Sequence, residues 1–204
     1  MLFKIYSENT AYKDVLKVAR ILEDGGLVII PTDSVYAIAC DSRKPKAIDK
    51  IARIKGVKPE KAEFSFIFDS LSTVAEYTKP FHNDIFKLMK RNLPGPFTFI
   101  LEANNKVPKI FKNNKKTLGV RIPDNKITLQ IVSALKSPLM VTSVHDEDDV
   151  IEYTTDPSLI HEKYDLLVDM VIDGGYGNNE ASTVVDCTGV GIEIIRQGEM
   201  ELII

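Results

Sequence analysis

Thr32, Asp33, Ser34 and Tyr36 fall within six residues, 31–36, directly after the apolar run 27–30. Two hydroxyls, a carboxylate and a phenol leaving a buried strand suit the orientation of a small polar molecule. The same residue types also build a hydroxyl-capped turn. Lys55 precedes Gly56 at the exit of a basic stretch, where an ammonium on a relaxed turn suits an anion. It is not a Walker loop, because GxxxxGK[ST] occurs nowhere in the chain. Arg121, in GVRIP, and Arg196, before Gln197-Gly198, close apolar strand-like runs. A guanidinium there is costly to bury alone, and either a carboxylate or a phosphate would fit its planar fork. Lys55, Arg121 and Arg196 are therefore candidates for a polyphosphate clamp. Ser143 with His145, and Ser182 with Thr183, place hydroxyls beside branched apolar residues. No G-x-S-x-G elbow surrounds either serine, so a Ser-His nucleophile is not expected.

Positioning these groups requires alternating helices and strands. Tyr12, Val15, Leu16, Ala19 and Leu22 lie at helical spacing over 11–24, and Gly25-Gly26 ends that helix. Residues 27–30 read as a buried strand that Pro31 stops. Asp41 and Ser42 offer N-caps to a second helix, which carries Ala47, Ile48, Ile51 and Ile54 on one face and ends near Gly56. Further strands are expected at 64–68, 97–101, 117–122, 138–143, 166–172, 182–187 and 192–196. Helices fall near 70–77, 80–92, 125–136 and 156–163, with Ser70, Asn125 and Asp156-Pro157 at their starts. Pro94-Gly95-Pro96 reads as a rigid turn fixing the entry to 97–101. This interleaving predicts an α/β fold with a twisted, mixed parallel and antiparallel sheet and flanking helices, in one domain over 1–204. The last two strands follow too closely for a helical crossover and must form a hairpin.

The composition, 44% hydrophobic and 27% charged over 204 residues, excludes a disordered, collagen-like or coiled-coil chain. Neither a signal peptide nor a membrane-spanning run is legible, so no membrane contact and a cytoplasmic location are expected. Cys40 and Cys187 lack zinc spacing and read as small core residues; no metal site built of protein side chains is expected. The net charge of -3 hides an asymmetry. Residues 1–145 carry 24 Lys/Arg against 14 Asp/Glu, and residues 146–204 carry 2 against 15. The basic part, densest at 43–61, suits phosphates, although a solvated helix face has the same composition. The acidic run Asp146, Glu147, Asp148 and Asp149 reads as a solvated loop.

In this order, the loops resemble the YrdC/YciO family of threonylcarbamoyl-adenylate synthases and their relatives. The likeness rests on PTDSVYAI (31–38), PGPFTFIL (94–101), GVRIPDN (119–125), STVVD (182–186) and IIRQG (194–198), and covers nearly the whole chain. It implies an open α/β sheet around a basic cavity, and a reaction in which threonine, bicarbonate and ATP give threonylcarbamoyl-AMP and pyrophosphate for tRNA modification. Mg²⁺ would come with ATP. Binding of tRNA or double-stranded RNA, and protein partners in tRNA modification, are implied as well. Carried over, Lys55, Arg121 and Ser143 serve catalysis, and Thr32, Tyr36 and Ser182 orient threonine. Lys55, Arg121, Ser143, His145 and Arg196 bind the nucleotide. The family's KxR and SxN pairs read here Lys55-Gly56-Val57 and Ser143-Val144-His145. The departures at Val57 and His145 resemble the YciO branch, for which a nucleotide- or double-stranded-RNA-binding protein without catalysis is the alternative reading.

Overall fold

Apolar residues recurring every three to four positions over 12–23 turn Val15, Val18, Ala19 and Leu22 inward on the first helix, α1 (Tyr12–Glu23). The computed structural model describes residues 1–58, 64–107, 116–144 and 152–204. Its strands are β1 (Leu2–Lys4), β2 (Val28–Ile30), β3 (Ala37–Asp41), β4 (Ser65–Ile67), β5 (Phe97–Glu102), β6 (Thr117–Arg121), β7 (Leu139–Ser143), β8 (Met170–Asp173), β9 (Thr183–Asp186) and β10 (Glu193–Arg196). The remaining helices are α2 (Pro45–Ile54), α3 (Leu71–Tyr77), α4 (Asn83–Asn92), α5 (Lys126–Leu135), α6 (Glu152–Thr155) and α7 (Pro157–Tyr164). All ten strands join one mixed sheet in the order β1-β8-β2-β3-β7-β4-β6-β5-β9-β10. β9 and β10 form the expected antiparallel hairpin.

Three helix starts are capped as their sequences require. Ser70 accepts from Thr73 N, Asn125 from Thr128 N, and Asp156 from Ser158 N ahead of Pro157. The cap of α2 differs from expectation. Lys44 stands at its N-cap without a side-chain bond, and Pro45 opens the helix. Asp41 instead ends β3, fully buried, where its carboxylate accepts from Arg43 and from the Ser137 hydroxyl. The sequence reading also lacked β1, β3 and α6, and began the strand before Asp173 at 166, whereas β8 begins at Met170.

Two apolar layers cover the sheet. On one face α1 and α5 pack Val15, Val18, Leu22, Ile127, Ile131 and Leu135 against β2, β3, β7 and β8. On the other, α2, α3, α4 and α7 bury Ile48, Ile51, Val74, Met89 and Ile160 against Phe66, Phe99, Val120 and Val185. The α1–α5 cluster takes no residue from β5, β6, β9 or β10. On that half of the sheet the first face has no helical layer among the described residues, and there the polar groups gather.

Candidate functional site

Register alone aligns the site. Arg121 pairs with Ile67 across β6 and β4, and Ile67 belongs to the α1–α5 layer. Val120 lies opposite Phe99, which sets Thr98 opposite Arg121; Thr98 then pairs with Val184, and Val184 with Arg196. Arg121, Thr98, Val184 and Arg196 therefore form one row across four adjacent strands, all on the face without helices. At ~4.8 Å per strand the two arginine Cα atoms stand about 14 Å apart, so their long side chains can converge over Thr98 and Val184. They already sense one another: Arg196 adds to the lowering of the Arg121 pKa.

Arg121 is the buried member. Its Nη2 donates to Asp33 Oδ1 and to Ser34 Oγ, both at 2.9 Å. The other Asp33 oxygen accepts from Asp124 N at 2.8 Å. Burial sets the protonation behaviour of both partners: it pushes the Arg121 guanidinium down and the Asp33 carboxyl up, and the mutual attraction only moderates each shift. Arg121 Nε is buried and has no hydrogen-bond partner. A buried charge-assisted donor without an acceptor is costly, and an anion in front of the row would satisfy it.

Around this donor stand hydroxyls. Ser182 Oγ and Thr98 Oγ1 lie 2.8 Å apart. Arg196 donates through Nε and Nη2 to the Ser182 carbonyl at 3.1 and 2.9 Å, which leaves its charge largely uncompensated. Thr32 is used within its own loop: its hydroxyl donates to Val35 O at 2.7 Å and accepts from Ser34 N at 3.1 Å. Tyr36 is fully buried, donating to Gly175 O at 2.6 Å and accepting from Gly174 N at 3.2 Å. Gly177 lies flat on its ring, where a Cβ would fall 2.6 Å from Tyr36 Cδ2. The segment 174–182 is thus pinned over loop 31–36, and Asn178 N reaches Ser34 O at 3.2 Å. Thr32 and Tyr36 shape the wall of the site through these bonds.

Lys55 and Ser143 make a second group. Lys55, at the C-cap of α2, donates through Nζ to the Ser143 carbonyl at 3.3 Å. Ser143 lies opposite Ala37, and the next residue, Val144, donates to Tyr36 O at 2.8 Å. Loop 31–36 therefore joins the two groups, holding Arg121 through Asp33 and Ser34 and the Ser143 strand end through Tyr36. His145, the run Asp146–Asp149 and Lys61 lie outside the described residues. Among the described residues no three His, Cys, Asp or Glu gather to hold a metal ion, and no helix is long and apolar enough to cross a membrane. Asp33 and Ser34 were named only as members of the 31–36 loop, without a role of their own, and Thr98 only within the motif 94–101. The legible signal for Thr98 was a hydroxyl inside the otherwise apolar run FTFIL.

Tyr36 also yields a pH prediction. Burial, with a smaller contribution from Asp173, pushes its phenol up from 10.0 to about 12, opposed by the Gly174 N–H. A raised folded value means that this group's contribution to stability is complete below the ordinary tyrosine range and is lost as pH rises through about 12. In an absorbance titration at alkaline pH, Tyr36 is expected to ionise last and together with unfolding. Tyr36→Phe removes that late step, and at neutral pH costs about 1–3 kcal/mol for the unpaired Gly174 N–H and Gly175 carbonyl.

Comparison with known proteins gives a consistent picture. Residues 20–198 match the Sua5/YciO/YrdC family profile, described as "Telomere recombination". The chain is 33% identical over 198 residues to YciO of Escherichia coli, covering 96% of this chain and 94% of that one. The crystal structure of E. coli YciO superposes with a TM-score of 0.88 over 97% of this chain and 95% of that one, at 32% identity. A threonylcarbamoyl-AMP synthase of Pyrococcus abyssi is 26% identical over 188 residues, which is 90% of this chain and 54% of that protein. P. abyssi Sua5 complexed with L-threonine shares the fold, with a TM-score of 0.86 over 97% of this chain and 57% of that one, at 23% identity.

Proposed function

Because the chain belongs to the Sua5/YciO/YrdC family, we propose that it is a threonylcarbamoyl-AMP synthase. Its substrates are then threonine, bicarbonate and MgATP, with tRNA modification as the destination of the product. The observation that carries this reading is the row Arg121–Thr98–Val184–Arg196, with a buried guanidinium nitrogen in want of an acceptor and a second arginine beside it. A row with two cations and the Thr98 hydroxyl, with the Ser182 hydroxyl 2.8 Å beside it, fits a reaction between anions.

The threonine amine and bicarbonate combine to a carbamate with loss of water. A carbamate oxygen then attacks the α-phosphorus of ATP, and the bond to the β-phosphate oxygen breaks to release pyrophosphate. No side chain need become covalently attached; the protein must align two anions and offset the charge of the leaving group. Arg196, exposed and bonded only to carbonyl and hydroxyl oxygens of Ser182, retains its charge for phosphates. Arg121, paired with Asp33 through Nη2, keeps its Nε–H for a single acceptor such as a carboxylate oxygen. Ser182 and Thr98 offer hydroxyls to the amino acid. Lys55 and Ser143 serve the nucleotide from the far side of loop 31–36, with His145 as a further nucleotide contact. Mg²⁺ enters as part of the substrate MgATP, bringing most of its own water.

The test follows labelled bicarbonate into threonylcarbamoyl-AMP in the presence of ATP, Mg²⁺ and threonine. Product is expected from the wild-type chain and at least a hundredfold less from Lys55→Ala. One observation favours a second reading. Helix α2 turns Lys46, Lys50 and Arg53 outward, and no ion pair occupies them among the described residues. A stripe of that kind fits a duplex backbone, so the second reading is an RNA-binding protein without turnover. Absence of product, together with double-stranded RNA affinity that falls steeply with salt, would select it.

A further inference from the structure

Strand β10 ends the sheet, and its outer backbone row has no neighbour among the described residues. Sheet edges are normally blunted by lysine, proline or cover, because an open row of N–H and C=O groups templates pairing. β1, at the opposite end, carries Lys4. β10 carries isoleucine: Ile194 is 45% exposed and Ile195 56%, with Ile192 exposed just before them. Every residue of the strand is exposed. The edge is thus unpaired, and two of its four residues, Ile194 and Ile195, are exposed and apolar.

What it would pair with follows from its register. Glu193 pairs with Asp186, Ile194 with Val185 and Arg196 with Val184, so the strand bulges at Ile195. The bulge puts Glu193 and Arg196 on one face and Ile194 on the other. If a second β10 lies antiparallel alongside, with the two-fold axis at Ile194 and the bulged Ile195 left out of register in both copies as it is against β9, Ile194 meets its own copy and Glu193 meets Arg196 of the second copy on both sides of the axis. Glu193 has no ion-pair partner among the described residues, and Arg196 keeps an uncompensated charge. Strand, charge and apolar face are all self-complementary about one axis, as an isologous interface requires.

We infer that the β10 edge is an interface with a second copy of this chain, joining two mixed sheets into one continuous sheet through an antiparallel β10–β10 seam. The seam holds Arg196 against Glu193 of the second copy, so dimerisation and phosphate binding draw on the same guanidinium.

Sedimentation equilibrium of the full chain over a hundredfold concentration range tests this. The expected result is a monomer–dimer equilibrium whose dissociation constant rises at least tenfold in Glu193→Arg, which sets like charges opposite each other twice. Glu193→Arg combined with Arg196→Glu is expected to regain the dimer. Hydrogen exchange gives a second readout that needs no substitution: amides of Ile194 and Ile195 gain protection as protein concentration rises. A monomer at every concentration, or a dimer indifferent to Glu193→Arg, overturns the inference. An open-ended series of larger species does so as well, because it would report β10 pairing with β1 rather than with itself.

Discussion

Arg121→Ala is expected to lose about 3–5 kcal/mol of stability, because it leaves a buried carboxylate without its counter-charge. Both side chains of the pair are buried, 6% and 8% exposed, so solvent does not screen the loss as it would at a surface pair. Asp33 would retain the Asp124 N–H at 2.8 Å, too little to hold its charge in place. Its carboxyl, already pushed up by burial, would rise further once the attraction of Arg121 is gone, and would take up a proton nearer to neutral pH. Adding Asp33→Asn removes that charge, so the double variant should recover a large part of the loss. Arg121→Lys should not, since burial favours the neutral form of a lysine amine and its point charge leaves no planar fork that holds Asp33 and presents an Nε–H together. Urea denaturation of wild type, Arg121→Ala, Asp33→Asn and the double variant measures the cycle, with Arg121→Lys beside it, and titration with ATP or threonine measures the site. If Arg121→Ala unfolded within ~1 kcal/mol of wild type, the pair would be of the hydrated surface kind and the reading of a buried anion-seeking guanidinium would fall.

The residues of that cycle also show what the chain makes legible. Arg121 stood out because an arginine inside an apolar strand must find an anion, and both kinds of partner, carboxylate and phosphate, were foreseeable. The identity of the carboxylate was not. Asp33 lies 88 residues away, and only the closure of loop 31–36 onto β6 brings it to Arg121. β3 escaped notice for a related reason: its residues Ala37 to Cys40 are buried on both faces, so no polar alternation marks it. Asp41 read as a helix cap because a carboxylate before a helix usually is one; burial against Arg43 and Ser137 gives it another task. The motif order indicated the fold and the family. Thr98 was hidden because threonine is an ordinary strand residue, and only the strand register places it between two arginines. Lys55 and Ser143 were legible together through the KxR and SxN likeness, and the 3.3 Å bond joins them; their separation from the arginine row was not, since α2 packs in the layer opposite Arg121.

Gly198→Ala should disturb this site from outside it. A Cβ at Gly198 would overlap the Ala181 carbonyl oxygen and stand 2.6 Å from both Ser182 C and Thr183 N. These are backbone atoms, so no rotamer change relieves the overlap, and the hairpin strands must part. Parting them stretches the bond from Gly198 N to Thr183 Oγ1, 3.0 Å, and moves the Ser182 carbonyl that receives Arg196. Overpacking of this kind costs roughly 1–3 kcal/mol, and three backbone atoms of the 181–183 segment that cannot turn aside put this site at or above the upper end. With Arg196 released from its anchor, a tenfold or greater loss of nucleotide affinity should accompany the loss of stability. Gly191→Ala is the matched control in the same hairpin: nothing lies within 4 Å of its Cβ, so both readouts should stay close to wild type. Thermal melts and ATP titrations of the two variants separate the outcomes. Destabilisation with unchanged affinity would show that Arg196 does not hold the nucleotide. Loss of both in Gly198→Ala alone would tie the clamp to the close approach that only glycine permits at this position.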